Sequence, residues 1–289
     1  MLSRLFKGLT NRTQATRIAF ERTGEGIPGF PRGLFTINPD GSDCRQIRNS
    51  GESPKWSPDG RWIAFVEKTE DNGWLHSVFV MRPNGTSERR LTFHNDVTAT
   101  PGAWSPDSKR LAYSLWLWQE KKYELCVVDI RTAEWKQLLK SECEIYPVWS
   151  PSNRIIFRQY GESCAPRLFE VDLNGKSLRP CAMFQPGDDE PVWTFDGSQL
   201  VCGSNDGMLV MKADGSARRV VRSPRGAIQW AMSPDGQSVV YSSSRESLNS
   251  GFEVFIIDLE DETKRRLVSN PMKGGKEVDS RCVSWSPWL

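Results

Sequence analysis

The pentapeptide Trp56-Ser57-Pro58-Asp59-Gly60 constrains this chain more than any other stretch, because the sequence repeats it. It returns as Trp104-Ser105-Pro106-Asp107, Trp149-Ser150-Pro151, Trp193-Thr194-Phe195-Asp196-Gly197, Met232-Ser233-Pro234-Asp235-Gly236 and Trp285-Ser286-Pro287. Successive copies start 48, 45, 44, 39 and 53 residues apart. Self-similarity at that period belongs to solenoids, arrays and propellers, whose units bury an apolar face only by stacking on a neighbour.

Every copy opens the same local grammar. In residues 53–92, Pro54-Lys55-Trp56 leads into a Ser-Pro-Asp-Gly turn, and Arg61-Trp62-Ile63-Ala64-Phe65-Val66 follows, apolar on both faces. After a polar loop come Ser77-Val78-Phe79-Val80-Met81, a turn at Pro83-Asn84-Gly85, and Glu88-Arg89-Arg90-Leu91-Thr92. Asp-Gly and Asn-Gly between hydrophobic runs signal tight hairpins, since such turns need positive φ. Each unit therefore reads as a four-stranded antiparallel meander, and further units fall at about 101–139, 146–180, 190–221 and 229–268. Their outer strands keep a basic-then-aliphatic ending, as in Arg218-Arg219-Val220 and Arg265-Arg266-Leu267. Four strands repeated around an axis make a propeller blade.

The chain ends decide whether the ring closes. Residues 17–48 hold Arg17-Ile18-Ala19-Phe20, Leu34-Phe35-Thr36-Ile37 and Arg45-Gln46-Ile47, a blade without its opening strand, whereas Val283-Ser284-Trp285-Ser286-Pro287 is an opening strand with nothing after it. The fold class expected is all-β: a single six-bladed β-propeller over residues 17–289, closed by the C-terminal strand joining the N-terminal blade, with residues 1–16 as a basic extension. Closure removes the exposed edges of an open array.

These residues carry a family resemblance. The pattern Pro-x-Trp-Ser-Pro-Asp-Gly, a basic residue, an Ile-Ala-Phe strand, an apolar third strand ending in Pro-Asn-Gly or Ala-Asp-Gly, and Arg-Arg-Leu-Thr resembles the TolB-type (WD-repeat-like) β-propeller repeat across 17–289. The resemblance implies the propeller fold. For function it implies either a lipoprotein-binding role like that of the periplasmic TolB propeller or the guarding role of propellers in prolyl oligopeptidase-like hydrolases. Ser152-Asn153 and Thr194-Phe195 depart from the motif and read as turn variants.

Charge and cysteine usage narrow the classes. Lys plus Arg total 38 against 36 Asp plus Glu, a net charge of +2, which lacks the basic excess of a phosphate-binding protein, so nucleic acid is not an expected partner. Seven cysteines with no C-x-x-C pair argue against a zinc site and point to reduced thiols and a cytoplasmic location. Leu2, Leu5, Phe6 and Leu9 follow helical spacing beside Arg4, Lys7 and Arg12, without the apolar core of a secretory signal. That extension suits at most a weak contact with an anionic membrane surface, and no stretch is apolar enough for a transmembrane segment.

The motif itself reads as architecture, with tryptophans packing between blades and Ser-Pro-Asp-Gly supplying turn chemistry. Its tight turns define one rim, so the second-to-third loops and the connections between blades share the opposite rim, where long loops concentrate binding residues. Phe30, Trp74, Trp116, Trp118, Tyr160 and Phe252 are the aromatic anchors expected there for a protein or peptide partner. The connections into the innermost strands carry Glu52, Asp96, Glu144, Asp189, Glu190 and Asp279, interrupted by Arg281, and converge on one channel mouth. Such a mouth suits a basic peptide or a divalent cation, and no other cofactor is expected.

Enzyme motifs are sparse. His76 and His94 are the sole histidines and lack metal-ligand spacing, and Gly161-Glu162-Ser163-Cys164-Ala165 lacks the final glycine of a nucleophile elbow. The reading is a non-catalytic protein- or peptide-binding scaffold; the alternative is a metal-assisted propeller hydrolase or lyase using the channel-mouth acids with His94.

Overall fold

The computed structural model describes residues 16–24, 31–69, 75–94, 97–160, 168–204, 207–221, 227–244, 251–270 and 278–287. Blade I contains β1 (Ile18–Thr23), β2 (Gly33–Ile37) and β3 (Arg45–Arg48); blade II, β4 (Glu52–Trp56), β5 (Ile63–Lys68), β6 (His76–Met81) and β7 (Arg89–Arg90). Blade III is β8 (Val97–Trp104), β9 (Arg110–Leu117), β10 (Lys122–Asp129) and β11 (Trp135–Ser141). Blade IV is β12 (Glu144–Trp149), β13 (Ile155–Tyr160), β14 (Leu168–Val171) and β15 (Arg179–Pro180). Blade V is β16 (Asp189–Trp193), β17 (Gln199–Ser204), β18 (Gly207–Lys212) and β19 (Arg219–Val221). Blade VI is β20 (Ala227–Met232), β21 (Ser238–Ser243), β22 (Glu253–Asp258) and β23 (Lys264–Val268). The last strand, β24 (Asp279–Trp285), returns to pair with β1, completing six four-stranded antiparallel sheets.

Ring closure is visible in register and packing. Trp285 lies opposite Ile18 in blade I as Trp56 lies opposite Ile63 and Trp104 opposite Leu111. The innermost strands touch in sequence, β4 on β8, β8 on β12, β12 on β16, β16 on β20, β20 on β24 and β24 on β4. The clasp expected from the two incomplete ends is therefore the structure observed.

The core is divided among the interfaces between blades. Trp104 packs with Val66, Val78 and Val80 of blade II, Trp149 with Ala112 and Leu125 of blade III, and Trp285 with Ala231 and Val240 of blade VI. Trp56 packs with Ala19 and Leu34 of blade I. Burying an aromatic of this size contributes on the order of 3 kcal/mol by area, so these wedges dominate cohesion between blades. Within blades, register partners on the second and third strands stack, including Phe20 on Phe35 at 5.5 Å and Tyr241 on Phe255 at 5.6 Å between centroids.

The turn chemistry repeats as the motif does. Ser57 Oγ donates to Asp59 Oδ1 at 2.6 Å and accepts from Trp62 N at 3.0 Å, and Ser105 with Asp107, Thr194 with Asp196 and Ser233 with Asp235 do the same. In blade IV, where Ser152 replaces the aspartate, Ser150 Oγ meets Ser152 Oγ at 3.0 Å and still accepts from Arg154 N. In blade I the serine comes from the other chain end: Arg17 N donates to Ser286 Oγ at 2.8 Å.

The basic outer strands are struts. Arg89 donates to Arg131 O at 2.7 Å, Lys136 to Leu173 O at 3.1 Å, Arg219 to Leu259 O at 2.7 Å and Arg265 to Pro39 O. Each ties an outer strand to the third-to-fourth turn of the next blade. Those turns approach the preceding outer strand so closely that a Cβ on Gly85 would stand 2.3 Å from Ile47 O, and one on Gly175 2.3 Å from Leu138 O. Only glycine fits there.

The cysteines depart from the sequence reading at one point. Cys126, Cys181 and Cys202 are buried free thiols, with burial raising the Cys202 pKa to about 12, and Cys44 is free and exposed. Cys143, however, is disulfide-bonded, to a cysteine whose side chain lies outside the described residues.

Two outcomes test this fold. Deleting residues 280–289 removes most of β24, and Trp285→Ala alone is expected to cost about 3–5 kcal/mol in urea unfolding; an unchanged thermal midpoint after the deletion would refute the clasp. The turn carboxylates set an acid limit. Hydrogen bonds from the Thr194 hydroxyl and from Ser198 hold Asp196 below its ordinary value of 3.8, and the Ser42 hydroxyl does so for Asp40. A depressed folded pKa gives stability that is present above the unfolded pKa and lost as pH falls through the folded one. The thermal midpoint should stay level from about pH 7 to 5 and fall below about pH 4.

Candidate functional site

The channel is shaped by irregularities in the innermost strands. β-Bulges interrupt pairing between Glu52 and Lys55, Pro101 and Ala103, Asp189 and Val192, and Ile228 and Ala231. Ser53, Glu190 and Gln229, each three residues before its motif position, adopt positive φ of 54°, 47° and 52°. Such conformations persist in non-glycine residues when neighbours over-determine them. Ser53 N donates to Glu21 Oε2 at 2.6 Å while Arg281 Nε holds Oε1 at 3.0 Å, and Glu190 N donates to Asp189 Oδ1 at 2.8 Å. A bulge turns the strand and re-aims its side chains, here where the strands enter the long-loop rim.

At that rim a cavity of about 570 Å³ is lined by Arg158, Asp189, Glu190, Gly203, Ile228 and Trp230, among others. Arg158 pairs with Asp189, and the Trp230 indole donates to Glu190 O at 2.9 Å. Glu190 is exposed to channel water yet ringed by protein. That crowding, then the adjacent Asp189 charge, pushes its carboxyl up, opposed by Lys55, the Gln229 N–H and Arg158.

The structure brings Asp189 and Glu190 together and places the other predicted acids elsewhere. Glu52 is exposed and lines a separate cavity of about 240 Å³ with Arg22, Arg32 and Glu67. Glu144 accepts from Tyr146 OH at 2.7 Å, and Asp279 from Phe252 N at 2.7 Å. Arg281 is engaged with Glu21, and Asp188 with Arg218. Asp96 lies outside the described residues.

The predicted aromatics also divide. Trp116 belongs to β9 and Trp118 follows it at a tip only four residues long, 118–121, because blade III extends its middle strands to eight residues each. The long loop expected at this position is thus a tight one. Trp116 lies 4.5 Å from Tyr123 and 6.0 Å from Trp118 between centroids, and Trp118 is 49% exposed. Phe252 is half-buried ahead of β22, Tyr160 ends β13 with its side chain outside the described residues, and Phe30 and Trp74 also lie outside them.

The opposite mouth holds a feature that the motif reading passed over. A cavity of about 410 Å³ is walled by the residues that immediately precede the six motif positions, Lys55, Ala103, Val148, Val192, Ala231 and Ser284, together with the motif tryptophans. Phe195 and the motif prolines Pro58, Pro106 and Pro151 stand among its lining, and Trp230 lines both cavities. The signal was available in the sequence as one column of the repeat, small or apolar except at Lys55.

His94 is placed for packing. His94 Nε2 lies 3.1 Å from Tyr113 OH, its ring sits 4.6 Å from that of Trp135 edge to face, and burial lowers its pKa. His76 pairs across the sheet with Lys68. Among the described residues no group of three or more His, Cys, Asp or Glu is arranged to hold a metal ion.

Comparison with known proteins agrees with this architecture. In Tol-Pal system protein TolB 1 of Novosphingobium aromaticivorans, 75 residues are 37% identical, covering 25% of this chain and 16% of that protein. The Tol-Pal system protein TolB of Alcanivorax borkumensis is 34% identical over 88 residues, 29% of this chain and 20% of its own length. The chain thus aligns with a fifth or less of the length of these relatives. Among solved structures, TolB from Acinetobacter baumannii superposes with a TM-score of 0.74 at 19% identity, over 94% of this chain and 66% of that one. An oligogalacturonate lyase in complex with manganese superposes at 0.58 and 14% identity, over 85% and 74%. The family model of the TolB β-propeller domain matches residues 12–289, and the chain belongs to that family.

Proposed function

We propose that this propeller is a non-catalytic platform that binds a protein or peptide through its long-loop rim and the adjoining channel mouth. The observation that carries this reading is the aromatic cluster of Trp116, Trp118 and Tyr123, held on the short β9–β10 hairpin with Trp118 half-exposed. Rigid, partly exposed aromatics on a scaffold are the usual energetic anchors of an interface. Glu52 and Glu190, two of the exposed acids among the described residues of the rim, favour basic side chains on the partner. The Tol-Pal system names of its relatives support a protein partner, and the lyase likeness, at its low identity, concerns the fold alone.

Replacing Trp116 and Trp118 together by alanine is expected to abolish affinity capture of the partner from the native cell, while the thermal midpoint stays close to the parent's. Undiminished capture by the folded double variant would remove this reading.

The disulfide at Cys143 supports an oxidising working compartment, where such bonds persist, in place of the reducing one suggested by cysteine spacing. Mass spectrometry of peptides alkylated before reduction should find Cys143 unmodified in protein from the native cell; alkylated Cys143 would place the chain in a reducing compartment.

A further inference from the structure

The two mouths of the channel differ in chemistry. At the long-loop mouth Asp189, Glu190 and Arg158 form a mixed charge cluster, whereas the tight-turn cavity is walled by Ala103, Val148, Val192 and Ala231 and by the motif tryptophans. Lys55, the one cation among its described lining residues, exerts its charge on Glu190 of the opposite mouth. The interior is thus apolar, and its volume of about 410 Å³ falls in the range of pockets that enclose a ligand.

The rim around this apolar interior is acidic. Pro58, Pro106 and Phe195 line the cavity, and each is followed by a motif aspartate exposed at its turn, Asp59, Asp107 and Asp196. Asp235 is the exposed equivalent in blade VI, whose turn packs on that of blade V: a Cβ on Gly236 would stand 3.1 Å from Thr194 Cγ2. Arg61 and Lys109 lie two residues beyond the first two aspartates and offset their charge, whereas Ser198 and Gln237 hold the matching places after Asp196 and Asp235. Neither Asp196 nor Asp235 makes an ion pair among the described residues. Hydrogen bonds from the Thr194 hydroxyl and from Ser198 favour the charged form of Asp196, so its turn fixes that carboxylate without neutralising it.

One segment of this chain matches both features and begins at the same mouth. Trp285, part of the lining, donates through Nε1 to Thr16 Oγ1 at 3.2 Å, and Ser286 N donates to Arg17 O at 2.7 Å, so the chain ahead of Thr16 leaves blade I beside the cavity. Residues 1–15 lie outside the described residues. Their sequence sets Leu2, Leu5, Phe6 and Leu9 at helical spacing among Arg4, Lys7 and Arg12, with no acid before Glu21. Phe6 stands ten positions before Thr16, a reach of up to about 33 Å, and covalent attachment makes the encounter intramolecular, at a millimolar effective concentration.

We propose that the tight-turn cavity is the docking site of the chain's own N-terminal segment, with Leu5, Phe6 and Leu9 against the apolar wall and Arg4, Lys7 and Arg12 toward Asp196 and Asp235. Apolar area supplies the attraction, and charge complementarity sets the orientation, since the cations have the acidic rim to meet. The segment is thereby held on the face opposite the long-loop rim, which leaves that rim open to a partner.

The test is photo-crosslinking of the full chain with p-benzoylphenylalanine in place of Phe6, at low salt. Irradiation should give crosslinks within one molecule, which mass spectrometry maps to the peptides bearing Ala103, Val148 or Phe195. Asp196→Asn together with Asp235→Asn keeps an acceptor in each turn and should lower the yield about threefold, the effect of losing two exposed charge pairs. Leu5→Asp with Leu9→Asp should abolish it. Crosslinks that map elsewhere on the propeller, that form only between two molecules, or that do not form at all would each overturn the proposal. So would a yield unchanged by the two asparagines, or crosslinks that pass to the lipids of added phosphatidylglycerol vesicles at the expense of the cavity. The crosslink map is read on a protein whose propeller is unaltered, so it stands even where an aspartate variant folds poorly.

Discussion

The pairing of β24 with β1 is the interaction on which the rest of this molecule depends. Backbone groups along a sheet edge need partners, and a ring has no free inner edge only when its first and last blades are joined. Here the joint is built from both ends of the described chain: Trp285 opposite Ile18, Ser286 Oγ beneath Arg17 N, and Trp285 Nε1 donating to Thr16 Oγ1 at 3.2 Å. The same strand also packs on β4 and β20, so it closes the channel wall and two interfaces between blades at once. Ser284 Oγ accepting from Trp56 N at 2.9 Å carries the closure into blade II.

In a ring closed in this way the chemistry is concentrated at the two ends. Many carboxylates near the long-loop end are committed to structure: Glu21 bridges Ser53 N and Arg281, Asp188 holds Arg218, and Asp279 fixes Phe252 N. Formal charge along the sequence therefore overstates the negative field at that mouth. At the tight-turn end the aspartates are engaged by hydroxyl and backbone donors of their own turns, which leaves the repeat column beginning with Lys55 to set the character of the cavity.

Blade count, strand order and the clasp were legible because they rest on local rules. Asp-Gly and Asn-Gly turns, two-residue alternation and the recurrent tryptophan all act over a few residues, and repetition supplied six samples of each. The placement of site residues was less legible. Trp116 was expected in a loop and lies in a strand, since extending β9 and β10 to a four-residue tip depends on pairing across the sheet rather than on composition. The carboxylate partners also escaped sequence reading, since Arg158 and Asp189, or Glu21 and Arg281, come from separate strands that meet only in the folded ring.

By itself, then, the sequence determined the architecture: a period, a turn chemistry and two complementary incomplete ends admit one closed all-β ring. The tertiary structure alone decided which side chains share a cavity and which carboxylates are committed to structure. The physical reason is range. Turn and strand preferences are set by neighbours along the chain, whereas the environment of Lys55 or Glu190 is made by residues from other blades whose distance is defined only once the ring has closed.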